Sequence, residues 1–392
     1  MRRSITLADS KRQAIRMLSA LTAILLLVGG CQDSAADPEP TLSEQLQAAL
    51  EQVLEDYDGI GASAALWIPG HGLWVGAAGI SHGTIPISTG MVFGIASTTK
   101  PFTAALILQL AGEGLLTLDD TLDDWLPSFP HIDGTITVRQ LLGHTSGIFN
   151  ITEHPGIADS VGADLSRVWT IEEAVRTFVL EPHCAPGAGW YYSNTNYLLL
   201  GMIIEAATGS ELETEYRNRF FGPLGLGRTF LSIMEPLEEP IAHPWEDLYD
   251  TGVLEDISAI PWEAYLSLRL TSGGIFSTPG DVVTWSRALF EGDVLESSSL
   301  AQMLDFGPTT PGEGRPGFNY GLGVDELTDF VDGYRAIGHD GNILGYRSLM
   351  KYLPDSGIHI SILMNQQYAD CLYAIGQTLV RLVIAELEVR AG

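Results

Sequence analysis

Residues 93–110 read Phe93-Gly94-Ile95-Ala96-Ser97-Thr98-Thr99-Lys100-Pro101-Phe102-Thr103-Ala104-Ala105-Leu106-Ile107-Leu108-Gln109-Leu110. From Ser97 to Gln109 this stretch predicts a buried helix, stopped at Gly112 and Gly114. Residues three apart share a helix face, so Ser97 Oγ and Lys100 Nζ can meet. A helix N-terminus favours developing negative charge, which suits a serine becoming an alkoxide. Pro101 falls in the first turn, where its missing N–H is tolerated. A helix cap followed by a surface lysine would leave the same trace, so the spacing alone is weak.

Lysine usage strengthens it. The 392-residue chain holds 20 basic residues, of which only Lys11, Lys100 and Lys351 are lysines. Arginine keeps its charge under nearly all conditions, whereas a desolvated lysine can lose its proton and act as a base. Lys100, beside a serine and ahead of the apolar run 102–110, fits that role. Lys351 reads as a solvated surface residue.

Two further motifs carry polar side chains in turns. Tyr192-Ser193-Asn194 follows Pro186-Gly187 and precedes a helical pattern, so Tyr192 and Asn194 can present both side chains to a cleft. His339-Asp340-Gly341 follows a strand pattern and precedes Gly345-Tyr346, with glycines that permit close backbone approach. By itself each also reads as an ordinary turn.

Around these motifs, helical periodicity runs over 43–57, and strand patterns cover 62–68 and 73–80 across a Pro69-Gly70-His71-Gly72 turn. The middle reads as helix and loop (136–142, 171–180, 196–207, 281–290). Strands return at 335–338, 346–353 and 358–364, and an amphipathic helix over 369–387 closes the chain. Turn-linked strands imply antiparallel pairing. The fold class is therefore α/β (α+β): an antiparallel sheet built from both termini, flanked by helices, with a large mainly helical insertion at about 115–300. No internal repeat is apparent.

In their order and spacing, the three motifs resemble those of the serine β-lactamase and penicillin-binding family: S-x-x-K, then Y-x-N, then a K-T-G or H-x-G strand. Neighbouring stretches add to the likeness: residues 93–96 (FGIA), 141–147 (LLGHTSG), 192–196 (YSNTN), 272–278 (SGGIFST) and 320–323 (YGLG). The resemblance covers roughly residues 45–385. It is nearest to the D-alanyl-D-alanine carboxypeptidase and class C β-lactamase branch, which also includes esterases and D-aminopeptidases, and it implies a β-lactamase/transpeptidase-like fold.

The resemblance implies roles residue by residue. Ser97 is the nucleophile of an acyl-enzyme. Lys100 accepts or positions its proton, and Tyr192 is general base or acid; which of the two takes the proton is open. Asn194, His339, Asp340 and Gly341 bind substrate. The backbone N–H groups of Ser97 and Asn342 form an oxyanion hole. His144 and Ser146 are mostly structural. The activity implied first is D,D-carboxypeptidase-like hydrolysis of cell-wall peptides. Esterase and D-aminopeptidase or amidase activity follow, then a true β-lactamase or a non-catalytic envelope-binding lipoprotein. Asp340 departs from the pattern, because a Thr or Ser hydroxyl there helps bind a substrate carboxylate. A carboxylate in its place repels one by about 4 kcal/mol at about 4 Å and an effective dielectric near 20. The alternatives for Asp340 are to point away from the site, to pair with His339 or an arginine such as Arg347, or to meet an ammonium group.

Composition bounds the partners. With 49 acidic against 20 basic residues the net charge is −29, which disfavours nucleic acid, since phosphate contacts need Lys and Arg. One G-x-S-x-G match occurs, Gly79-Ile80-Ser81-His82-Gly83, but it leads into no helical pattern and so does not form a strand-to-helix elbow. With no H-E-x-x-H cluster either, neither an α/β-hydrolase nor a metal hydrolase is indicated, and no cofactor is implied. The expected partner is a small-molecule or peptide substrate, such as a peptidoglycan stem peptide or an ester.

Residues 1–30 read as an export segment. Arg2, Arg3, Lys11, Arg12 and Arg16 precede an apolar run from Leu18 to Val28, then Gly29-Gly30-Cys31. This resembles a bacterial lipobox with lipid attached at Cys31; a plain secretory signal or an anchor helix are the alternatives. On the lipobox reading, residues 31–44 are a tether, 45–392 the catalytic domain, and the protein sits lipid-anchored in the cell envelope, facing the periplasm. The segment carries five basic residues and one acidic, Asp9, so losing it takes the charge from −29 to −33. Cys184 and Cys371 would then meet an oxidising setting, and a disulfide between them is one possibility.

Overall fold

The computed structural model describes residues 40–306, 317–367 and 371–391. The expected export segment, Cys31 and most of the tether lie outside them. The first helix, α1 (Leu42–Asp56), begins inside the expected tether. Thr41 caps it: the Thr41 hydroxyl accepts from the Glu44 N–H, and the Glu44 carboxylate accepts from the Thr41 N–H.

Eight antiparallel strands form the main sheet. Three come from the N-terminal part: β1 (Gly61–Ile68), β2 (Gly72–His82) and β3 (Ile85–Pro86). Five come from the C-terminal part: β4 (Phe318–Tyr320), β5 (Asp325–Val331), β6 (Tyr334–Ile343), β7 (Tyr346–Leu353) and β8 (Ile358–Met364). Their spatial order is β3-β2-β1-β8-β7-β6-β5-β4. The two groups join where β1 lies antiparallel to β8, from Ala62 opposite Met364 to Trp67 opposite His359. The sheet is thus built from both ends of the chain, as expected. Every residue of β8 is buried, because both faces at the centre of the sheet are covered.

One face carries α1 and the closing helix α5 (Cys371–Ala391), whose Ile375, Leu379 and Val383 pack with Leu46, Leu50 and Leu54 in one core. The other face carries the helical insertion and a larger core. There α2 (Lys100–Gly112) is apolar nearly all round and buried along most of its length. Phe102 stacks on Trp285 of α4 (Pro279–Glu291) with ring centroids 3.9 Å apart. Helix α3 (Asn194–Thr208) lies between α1 and α4 in the chain and supplies Tyr197 to Leu200 to the same core. Among the described residues no helix is long and apolar enough to cross a membrane.

Several expectations need correction. The helix expected from Ser97 divides into a 3-10 turn, Ala96–Thr99, and then α2. The strand expected over 335–338 runs to Ile343, carrying the His339 motif into the sheet, and β4 and β5 beside it were not anticipated. No disulfide joins Cys184 and Cys371, so the possible bridge is not formed. Lys351 is no surface residue: it is fully buried in β7 and its Nζ donates to Asp325 of β5.

That buried pair yields a stability test. Lys351→Met leaves the Asp325 carboxylate buried without its cation and is expected to cost about 3–5 kcal/mol in chemical denaturation. The double variant with Asp325→Leu is expected to recover most of it, whereas equal loss in both would show that the pairing contributes nothing.

Candidate active site

The 3-10 turn Ala96–Thr99 presents Ser97 at the junction of the sheet and the helical insertion. Ala96 adopts φ +49°, a left-handed conformation that costs a non-glycine residue about 1–2 kcal/mol. The surroundings hold it there. The Ser348 hydroxyl of β7 donates to the Ile95 carbonyl at 2.6 Å and meets the Thr98 hydroxyl at 2.8 Å. Ile95 N–H donates to the Ile275 carbonyl (2.9 Å), and Ile275 N–H donates to the Thr99 hydroxyl (3.1 Å). Gly341, expected to bind substrate, also packs closely against this turn. A Cβ at this position would collide with the Ile95 carbonyl and the Ser348 hydroxyl, so glycine lets β6 lie against the serine turn.

Lys100 is entirely buried. Its Nζ lies 3.0 Å from Ser97 Oγ, 2.9 Å from Asn194 Oδ1 and 2.7 Å from the Ser272 carbonyl oxygen. Burial, reinforced by the Arg269 guanidinium and opposed by Asp340, holds its pKa well below the ordinary lysine value. A neutral amine fits these neighbours: its two N–H groups go to the two carbonyl oxygens and its lone pair faces Ser97 Oγ.

Tyr192 supplies the second partner of the serine, its hydroxyl donating to Ser97 Oγ at 2.9 Å. Asn194 opens α3, and its N–H donates to Asn150 Oδ1 at 3.1 Å. His144 organises this loop. Its Nδ1 accepts the Ser193 N–H (3.2 Å) and faces Asn196 Nδ2 (3.2 Å), while its ring lies 4.3 Å from that of Tyr192. Burial keeps His144 neutral, well below the ordinary histidine value. Ser146 donates to Asn196 Oδ1 at 2.7 Å. Both residues of the LLGHTSG stretch are thus structural, as expected, and His144 bears directly on the position of Tyr192.

Strand β6 brings the third motif to the same place. Ser97, Tyr192, Asn194, His339, Asp340 and Asn342 line one cavity of about 290 Å³, completed by Trp190, Phe318, Tyr320 and Asp325. Burial, with Lys100 nearby, pushes His339 down to about 3. Neutral His339 donates from Nδ1 to the Asp340 carbonyl at 2.6 Å, and its Nε2 accepts from the Tyr320 hydroxyl at 3.0 Å, a tautomer assigned from these partners. The Asp340 carboxylate turns into the site: one ligand atom each from Asp325, His339 and Asp340 lies within 4.8 Å of the others. This cluster could in principle hold a metal. Its donors are committed elsewhere, however, since Lys351 occupies Asp325 and both His339 nitrogens have partners.

Sequence reasoning brought together Ser97, Lys100, Tyr192, Asn194, His339, Asp340 and Asn342. It passed over Trp190, Phe318, Asp325 and Arg269. The SGGIFST stretch pointed to the neighbourhood of Arg269, three residues upstream of Ser272. Nothing local marked Phe318 or Asp325.

A family model described as Beta-lactamase matches residues 46–383. The chain is 30% identical over 273 residues to penicillin-binding protein 4* of Bacillus subtilis, covering 68% of this chain and 58% of that protein, so it spans little more than half that relative's length. Among solved structures, a D-stereospecific amidohydrolase from a Streptomyces species is 33% identical with a TM-score of 0.72, covering 82% of this chain and 94% of that one. The D-amino acid amidase of Ochrobactrum anthropi is 28% identical with a TM-score of 0.74, covering 89% of this chain and 100% of that one. With the family model spanning most of its length, the chain belongs to the beta-lactamase family of serine hydrolases.

Proposed function

We propose that this protein hydrolyses amide bonds of D-amino-acid derivatives that carry a free amine, through an acyl-enzyme on Ser97, in the manner of an amidase or aminopeptidase. The observation that carries this reading is the Asp340 carboxylate facing the cavity, with no ion-pair partner among the described residues. The terminal carboxylate of a D,D-peptide would meet it as a like charge. An ammonium group would meet a counter-ion and, on the other walls, the faces of Trp190, Tyr192, Phe318 and Tyr320. The two amidohydrolase relatives support the same substrate class. The carboxypeptidase activity suggested first by the sequence is therefore placed behind the amidase. On this reading the enzyme is exported and anchored through Cys31 in the cell envelope.

The chemistry follows from the hydrogen bonds. Neutral Lys100 takes the Ser97 proton as Oγ attacks the carbonyl carbon. The N–H groups of Ser97 and Asn342 receive the oxyanion. The leaving amine needs a proton, and Tyr192, already donating to Ser97 Oγ, is placed to relay one. Water then attacks the acyl-enzyme by the reverse sequence. Asn194 keeps an N–H of Lys100 engaged, so the amine lone pair stays on the serine.

Two outcomes test this. The first is substrate preference. D-alanyl p-nitroanilide is expected to exceed both its N-acetyl derivative and a D-alanyl-D-alanine peptide in kcat/KM by at least about tenfold, and Asp340→Asn is expected to erase most of that margin. A better D,D-peptide substrate would overturn the reading. The second is pH. Activity needs Lys100 unprotonated, so kcat/KM is expected to fall as pH drops through the lowered Lys100 pKa, on a limb lying well below 10.5. Asp340 favours the charged amine, so Asp340→Asn is expected to shift that limb to still lower pH. A limb that stays put would disconnect Asp340 from Lys100.

A further inference from the structure

A second, smaller recess of about 30 Å³ adjoins the serine. Ser97, Asn194 and Asn342 belong to both cavities, and beyond them this recess is bounded by Ser272, Gly273 and Arg269. Arg269 stands just ahead of the short helix Leu270–Gly273. Its guanidinium lies 3.5 Å from the centroid of the Tyr265 ring, and Nη1 donates to the Tyr265 carbonyl at 3.2 Å. Those two contacts fix the plane of the group.

Among the described residues the charge has no counter-ion. Ten of the other described arginines form an ion pair with a carboxylate. Arg269 forms none among the described residues, although the chain has more than two acidic residues for every basic one. A half-buried cation without a carboxylate partner among the described residues is held at some cost, and an incoming anion would offset it. A guanidinium fork matches a carboxylate in geometry, and the recess has room for a group of that size.

We propose that Arg269 forms an anion subsite beside Ser97 that holds a free carboxylate on the acyl portion of the substrate. The preferred acyl groups are then those of dicarboxylic half-amides and acidic amino acids. Together with Asp340 across the serine, the site reads a substrate of mixed charge, amine toward the aromatic cavity and carboxylate toward Arg269. The inference rests on the acylation of Ser97 proposed above, but not on the Asp340 assignment.

The test is a matched pair, glutaryl p-nitroanilide and pentanoyl p-nitroanilide, which differ by the terminal carboxylate. Wild type is expected to favour the glutaryl compound by about tenfold or more in kcat/KM. In Arg269→Met that ratio is expected to collapse to within about twofold, and in Arg269→Lys to fall between. If either anilide turns over too slowly, protection of Ser97 from a fluorophosphonate by glutarate against pentanoate reads the same ratio. A wild-type ratio near one overturns the subsite. So does an equal fall for both compounds in Arg269→Met, which would mean that Arg269 acts on Lys100 or the oxyanion. Fluorophosphonate labelling keeps the two failures apart: labelled protein with a flat ratio removes only the subsite, whereas unlabelled, inactive wild type removes the hydrolase reading itself.

Discussion

The structure turns on one buried amine. Lys100 has no contact with solvent, and three oxygens surround its nitrogen: Ser97 Oγ, Asn194 Oδ1 and the Ser272 carbonyl. A charged ammonium in that place would carry a large desolvation penalty, so the site favours the neutral form. Neutrality makes the lysine a base, and the two carbonyl-type acceptors decide which way its lone pair points. Each acceptor comes from a different element. Asn194 opens α3, Ser272 lies in the short helix after Arg269, and Ser97 stands on the 3-10 turn before α2. Any shift among these elements would leave one N–H unmet in a dry environment.

The sheet supplies the rigid half of the arrangement. Strand β6 crosses the serine turn at Gly341, where the absence of a side chain lets the backbones approach, and Ser348 of β7 ties the Ile95 carbonyl to the neighbouring strand. The same strand carries His339, Asp340 and Asn342 to the cavity wall. Beneath them the Lys351–Asp325 pair links β7 to β5. The Ala96 backbone, held in a left-handed conformation, is the local cost of aiming the serine at this wall. Charge is arranged on a small scale within a very acidic chain: the aromatic cavity presents Asp340, and the adjoining recess presents Arg269.

Much of this was legible in the sequence because its signals are local. Ser97 and Lys100 are one helical turn apart, lysine is rare, and the run after Pro101 is too apolar for a surface helix. Tyr192-Ser193-Asn194 and His339-Asp340-Gly341 are short motifs whose order carried the resemblance. What stayed hidden depends on long-range pairing. Lys351 looked like a surface residue because its partner Asp325 sits 26 positions away, two strands over in the sheet. Phe318 and Asp325 belong to strands too short or too polar to show an alternating pattern. Arg269 carries no motif at all, and only the fold places its guanidinium beside the serine. The possible Cys184–Cys371 bridge could not be decided from spacing, and the fold does not form it.

On the proposed mechanism Ser97, activated by neutral Lys100, carries the acyl group. Rapid quenching of the enzyme with a slowly hydrolysed D-amino-acyl ester, followed by peptide mass spectrometry, reads this directly. The expected result is an acyl adduct on Ser97, absent from Ser97→Ala and from Lys100→Met under the same conditions. Turnover with no adduct, or an adduct that persists on Ser97 at an undiminished rate in Lys100→Met, would contradict it.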